Sequence, residues 1–356
     1  MGMNGVSRRP RGGPALWIVA LLALATVGHT LLWRWAEQRL RSGFDVWVAE
    51  RRGEGWRVRS AEPVAAGWPL AAQLVVKQVS VEGVQADIPD GFAWSAERVT
   101  LAVALLQPRL LAILPHGEQH LRLSRLPDIP YTADRLRIAI PLEPGGRAQV
   151  ADLSANTLRA GIPGGGAARA LTVGLLSGHV EHRSNALGGE AALTVQASAE
   201  AIALPPGLPW ALGGRISSTS IEGALSGPVP PAPTFVQRAA AWRDGGGTLE
   251  VQRFALGWGP LGVTGSATLA LDARLQPMGT GNTRMVGYAE ALDELAGSGA
   301  ITSRTALAVK AVAGLIAASP ETGGPPQLEV PLTLQDRTLS IRQIPVARMP
   351  ALTWPP

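Results

Sequence analysis

Apolar and polar positions follow two different periods along the chain, and the change comes at Gly55. Before it, Ala15 to Trp33 (ALWIVALLALATVGHTLLW) is nineteen residues without a charge. As a helix rising about 1.5 Å per residue, the run is roughly 28 Å long, close to the thickness of a bilayer core. Leu40, Phe44, Trp47 and Val48 follow at spacings that put them on one helical face. The helix is therefore expected to continue to about Arg52, where Gly53-Glu54-Gly55 stops it. Beyond Gly55 the period becomes two. Trp56, Val58 and Ser60 alternate with Arg57 and Arg59, and Leu74, Val76, Val79 and Val81 mark a second run with a slip near Gln78. Further runs lie at 98–105, 120–123, 135–140, 191–199, 215–224, 248–256, 262–273, 327–334 and 338–344. Each is short and bounded by Gly, Pro, Asn or Asp, as antiparallel strands with one apolar face are.

Two segments break this alternation. Met285 to Ala296 (MVGYAEALDELA) and Ser303 to Ala318 (SRTALAVKAVAGLIAA) read as helices joined by Gly297-Ser298-Gly299. In the second, Leu307, Val312, Leu315 and Ile316 form the expected packing stripe. The hairpin, residues 285–318, is expected to cap or pack on the sheet. Gly- and Pro-rich stretches at 161–166, 205–209, 227–233 and 323–326 interrupt the regular pattern. The fold class that follows is mainly β with a minor α part. An N-terminal transmembrane helix leads into twisted antiparallel sheets, with a helical hairpin near the C-terminus. The domain reading is a tail at 1–14, an anchor at 15–35, a juxtamembrane helix at 36–55 and a first β-rich region at 56–226. A Pro-rich linker at 227–233 and a second β-rich region at 234–356 complete it.

Charge sharpens this picture because of where it sits. The net charge of +5 is concentrated before residue 60, where ten Arg face Glu37, Asp45, Glu50 and Glu54. The remainder carries 22 basic and 23 acidic residues. A nucleic-acid binder carries its basic excess on the folded module, so nucleic acid is excluded as a partner class. Arg8, Arg9 and Arg11 precede the apolar run with no acidic residue beside them, and Trp17, Trp33 and Trp35 flank it. The positive-inside rule places residues 1–14 in the cytoplasm and the bulk of the chain outside. Ala23-Leu24-Ala25 offers a small-x-small cleavage pattern, but the apolar run continues through Leu31 and Leu32, as an uncleaved anchor does.

Candidate chemistry is sparse. With no Cys there is no thiol nucleophile, disulfide or Cys-based zinc site. Gly257-Trp-Gly259-Pro-Leu-Gly262 fits GxGxxG in form. However, a strand pattern follows it where a dinucleotide site needs a helix, so it reads as a turn between strands. His116-Gly-Glu118-Gln-His120 lacks metalloprotease order, and its two His would stand about 13 Å apart along a strand. There is no GxSxG elbow and no close carboxylate pair. The expectation is a non-enzyme with no catalytic, cofactor-binding or metal-binding residues. The eleven Trp against four Phe and two Tyr are more informative. Trp68, Trp94 and Trp258 are the candidate lining of an apolar groove; core or turn packing is the plainer role for the same indoles.

Ala66-Gly67-Trp68-Pro69-Leu70, Phe92-Ala93-Trp94-Ser95-Ala96, Gln107-Pro108, Trp258-Gly259-Pro260-Leu261 and Ile344-Pro345-Val346 resemble an alphaproteobacterial envelope family. It is the family known as domain of unknown function 2125 (DUF2125), and the resemblance covers most of residues 30–352. The last part also resembles, more loosely, the AsmA-like envelope proteins. These join an inner-membrane helix to long curved β-sheets suggestive of lipid-handling grooves. The resemblance implies a single-pass inner-membrane protein with its β-rich body in the periplasm. It would contact phospholipid or other envelope proteins, and no catalytic residue carries over. The alternative is an envelope scaffold with a closed core that acts through protein contacts alone.

Overall fold

The computed structural model describes residues 13–85, 88–123, 127–142, 149–162, 169–183, 186–228, 234–317, 325–341 and 344–354. Helix α1 (Gly13–Gly53) runs unbroken through the apolar segment and the juxtamembrane stretch. From Trp17 to Gly28 it is exposed on all sides. From His29 onward one stripe is shielded, at residues 29, 33, 36, 40, 44 and 48. This is the 3.6-residue period meeting a flat surface. Leu40, Phe44 and Val48 pack on the cluster Val58, Leu74, Val76, Val79, Val81, Ala96 and Val99. Trp47, expected on that face, lies at its margin and stacks on Phe44 with ring centroids 6.3 Å apart. Arg41 Nη2 donates to Pro63 O at 2.9 Å, and Arg52 Nη2 donates to Val58 O at 2.7 Å, so backbone carbonyls beside the sheet are also tied to the helix.

Among the described residues the strands form a single 17-stranded sheet. At one edge, β1 (Arg57–Arg59) and β2 (Val64–Ala66) both pair with β3 (Ala71–Gln85). β4 (Ile88–Ala104) and β5 (Leu110–Leu123) follow antiparallel. The short strands β6 (Ile129–Thr132) and β7 (Arg135–Pro141) share the gap between β5 and β8 (Val150–Gly161). The meander continues through β9 (Ala170–His182), β10 (Ala191–Ala203) and β11 (Arg215–Ser226). It then passes to β12 (Leu249–Trp258), β13 (Leu261–Leu271), β14 (Pro277–Val286), β15 (Leu328–Gln335), β16 (Thr338–Ile341) and β17 (Ile344–Arg348). The linker near residue 230 interrupts the chain but not the hydrogen bonding, because β11 pairs with β12 across it. Residues 229–233 of that linker lie outside the described set, as do 163–166 and 323–324 of the other Gly- and Pro-rich stretches.

Single residues with positive φ adjust the alternation within strands. Gln78 (φ 51) lets Val76 and Val79 face the same way, which is the slip expected there. Thr157 (φ 49) does the same in β8 and Ala201 (φ 52) in β10. Such insertions bend a strand and increase its twist.

Helices occupy the strand ends. α2 (Phe235–Asp244) was not expected from the sequence; it is capped by Thr234 Oγ1, which accepts from Gln237 N at 3.3 Å. α3 (Tyr288–Gly297) and α4 (Ser303–Ile316) form the expected hairpin, tied by the Lys310–Asp293 ion pair. Its start differs by a few residues, since Met285 and Val286 close β14. Gly287 (φ 66) then turns the chain in a left-handed conformation, where a Cβ would run into Pro260 O. The expected packing stripe of α4 is corrected. Leu307, Val312 and Leu315 are exposed, whereas the small residues Ala306 and Ala313 are buried. Small side chains let this helix approach its neighbours closely, and the bulkier aliphatics are left outside. The side chain of Ile316 and the whole of Ala318 lie outside the described residues.

Candidate functional site: an apolar sheet face with a cleft at its end

In an antiparallel ladder, directly paired residues point to the same side of the sheet. The registers therefore trace each face strand by strand. Leu193 pairs with Leu225, Leu225 with Leu249, Leu249 with Leu269, Leu269 with Gly279, Gly279 with Leu334, and Leu334 with Leu339. That is one apolar row from β10 to β16, and six strand spacings of about 4.8 Å make it roughly 29 Å wide. Beside it, Ala151, Val180 and Val195 continue the same face back to β8. The opposite face shows the reverse chemistry. Asp152 pairs with His179, His179 with Gln196, Gln196 with Glu222, and Glu222 with Arg253. His179 Nδ1 lies 2.7 Å from Asp152 Oδ1, and Glu222 forms an ion pair with Arg253. The sheet is thus two-faced across most of its width.

The covering of the apolar face is uneven. Under β3 and β4 it is shielded by α1, reinforced by the edge-to-face pair of Trp56 and Phe92 at 5.0 Å. The helices pack chiefly on β1, β3, β4, β13 and β15, so the apolar face of β8 to β10 lies outside their main contacts. Val180 and Ile221, both on that face, remain 38% and 45% exposed. At the strand ends, the row runs beneath α2 into a cleft of about 360 Å³. Leu225, Leu249 and Leu269 form its floor, Phe235 and Trp242 its roof, and Trp354 one wall. Trp242 Nε1 donates to Ser226 O at 2.8 Å and Trp354 Nε1 to Leu275 O at 2.7 Å, so each indole presents carbon rather than nitrogen to the cleft. The Gln276 side chain holds the C-terminal segment, exchanging hydrogen bonds with Leu352 O (3.0 Å) and Leu352 N (2.8 Å). A volume of this size, lined by hydrocarbon side chains apart from Arg238, suits an alkyl or aromatic group.

The three indoles singled out in the sequence are not gathered in one place. Trp94 lies on the apolar face of β4 opposite Val81, and its Nε1 donates to Tyr131 Oη at 2.8 Å. Burial raises the Tyr131 pKa, with the Trp94 hydrogen bond opposing that shift. Trp258 lies on the same face at the far end of β12, and its Nε1 donates to Gly213 O at 2.8 Å. Trp68 stands on the loop between β2 and β3, well exposed. Sequence reasoning missed Trp242, Phe235 and Trp354. Phe235, Ala239 and Trp242 stand at i, i+4 and i+7 behind a Thr cap, a signal that was present and short.

The remaining motifs are also placed. Gly257–Gly262 spans the tight β12–β13 turn, closed by the pair Trp258 and Leu261. His120 Nδ1 lies 2.7 Å from Asp128 Oδ2, while His116 stands opposite Arg98 in the ladder. Desolvation first, and Arg98 second, lower the His116 pKa. Among the described residues no three His, Asp or Glu side chains gather as a metal site would require.

Comparison with known proteins gives the chain a family. Residues 33–350 match the family described as uncharacterized protein conserved in bacteria (DUF2125). The chain belongs to the DUF2125 family. No curated protein and no solved structure matches it. The match begins at Trp33, so the DUF2125 region takes in the sheet-packed part of α1 along with the whole sheet. Helix α1 is the one helix among the described residues long and apolar enough to cross a membrane, and none of its apolar window is buried. The protein is a membrane-associated, β-rich member of this family.

Proposed function

We propose that this DUF2125 protein is a single-pass inner-membrane protein whose periplasmic sheet binds phospholipid acyl chains, or a ligand equally apolar, on its hydrocarbon face. Residues 1–14 lie in the cytoplasm and the sheet in the periplasm. The protein performs no catalysis and requires no cofactor or metal. One observation carries the reading: the apolar face continues from the row across β10 to β16 back onto β8 and β9, and over β8 to β10 it lies outside the main helix contacts among the described residues. Wet apolar area of that extent is unfavourable by about 25 cal/mol per Å², and a soluble protein normally buries it. Acyl chains offer the matching cover, in keeping with the grooves that the AsmA-like resemblance implies. An uncleaved anchor is supported by α1, which runs unbroken past Ala25 and packs on the sheet.

The experiment is native mass spectrometry of the detergent-extracted full chain, with lipid extraction. Co-purifying phospholipid is expected, and its loss on Val195→Glu or Ile221→Glu. A lipid-free protein that takes up no added phospholipid contradicts the reading. A scaffold role through protein contacts is the second reading. It is favoured by the exposed face of α4, where Leu307, Val312 and Leu315 stand free of the sheet.

A further inference from the structure

The end of the sheet nearest α1 carries a second exposed apolar surface, separate from the sheet face. It is built from two loops. Gly67-Trp68-Pro69-Leu70 joins β2 to β3, and Leu105-Leu106-Gln107-Pro108 opens the turn between β4 and β5. Leu105 N donates to Leu70 O at 3.3 Å, which sets the two tips side by side. The first loop carries no charge, and the β4–β5 turn carries one, Arg109, at its last position before β5. Trp68 is 55% exposed, Leu70 81% and Leu106 96%. Large aliphatic side chains at such exposure on loop tips, grouped rather than scattered, mark a surface that meets something apolar.

The helix identifies what they meet. His29 Nε2 donates to Pro69 O at 2.7 Å, and Trp33 Nε1 donates to Ala71 O at 2.8 Å. Both donors belong to the uncharged run, and the first charge after it is Arg34. His29 precedes Arg34 by five residues, which on a helix is about 7 Å farther into the membrane. The β2–β3 loop is therefore fastened to α1 deeper than the first charged side chain on the sheet's side. From Ala15, where the anchor begins, to Gly28, before the helix meets the sheet, α1 supplies fourteen residues. That is roughly 21 Å, short of the ~30 Å hydrocarbon core. The missing depth is where the two loops sit.

We infer that residues 67–70 and 105–108 are immersed in the leaflet that α1 crosses on the sheet's side, surrounded by bilayer phospholipid. This rests on the anchor reading proposed above but not on a ligand bound along the sheet. It makes the sheet a body standing in the membrane surface, with one strand end open to lipid, rather than a domain tethered above it. Gly67 (φ 88) permits the tight turn that brings this loop to the helix, since a Cβ there would meet Ala71 O at 2.6 Å.

The chain has no Cys, so single labels are straightforward. Leu24→Cys, Leu70→Cys, Leu106→Cys and Leu208→Cys would be introduced separately into the full chain and labelled with an environment-sensitive fluorophore. The labelled proteins would be reconstituted in phosphatidylethanolamine–phosphatidylglycerol vesicles. A lipid spin-labelled near its glycerol end should quench labels at 70 and 106 several-fold more than the label at 208, on the loop between β10 and β11. Aqueous iodide should show the reverse order. If position 24 is lipid-shielded while 70 and 106 respond like 208, the immersion is wrong and the anchor stands. If position 24 is itself open to iodide, the anchor and the immersion fall together.

Discussion

Gln119 is the least expected side chain in the structure. It lies on the apolar face of β5, opposite Ala96 and Tyr131, and is fully buried. Neither of its amide atoms meets a hydrogen-bond partner among the described residues. A buried, unsatisfied amide is unfavourable by about 1–3 kcal/mol. Gln119→Leu keeps the approximate volume and should raise the unfolding free energy by roughly 1 kcal/mol, read as a higher urea midpoint. His116 provides a pH test. Its folded pKa lies below the ordinary 6.5. The folded state therefore resists protonation more than the unfolded chain does. The stability it permits is complete above pH 6.5 and declines as pH falls toward and through the folded value. His116→Gln should make the stability curve flatter between pH 7 and 5 than in the parent. None of this was legible in the sequence. The alternation at 120–123 was clear, but the insertion near Gly117 that decides which way Gln119 points appears only through pairing with β4.

At the scale of elements, the long periodic segments were readable because one physical rule governs each. The apolar run and the 40, 44, 48 spacing gave α1, and period-two alternation gave the strands. The slip at Gln78 was visible because two Val pairs frame it. Helix α2 was hidden by its length: ten residues between a Pro-rich stretch and three Gly hold only one turn of stripe on either side of Ala239. The packing side of α4 was misjudged because apolar bulk was taken as the guide. In α4, close approach favours the alanines. Leu307→Ser or Leu315→Ser should change stability by no more than about 0.5 kcal/mol, since those side chains are solvent-facing. Ala306→Leu and Ala313→Leu should each reduce it by roughly 1–3 kcal/mol through overpacking. Thermal denaturation of the four variants separates the two assignments. The opposite result would place the aliphatics in a contact.

For the whole molecule, the alternation seen in separate strands becomes a property of the sheet only when the registers align it. Each strand alone shows an apolar side, but whether neighbouring apolar sides coincide depends on long-range pairing, which no local pattern encodes. That is why the size of Trp68, Trp94 and Trp258, with Pro beside the first and last of them, stands out in the sequence while the Leu row from Leu193 to Leu339 does not. The cleft beneath α2 was out of reach for the same reason, since it needs residues from both sides of the linker. The account holds that the apolar side of this sheet carries lipid and the polar side does not. Ile221 and Glu222 are adjacent in β11 and face opposite ways. A photo-crosslinking amino acid placed in turn at each position in the full chain, in cells fed labelled fatty acid, tests this most directly. The account predicts a phospholipid adduct at 221 and little or none at 222. Equal labelling at both positions, or none at 221, would contradict it.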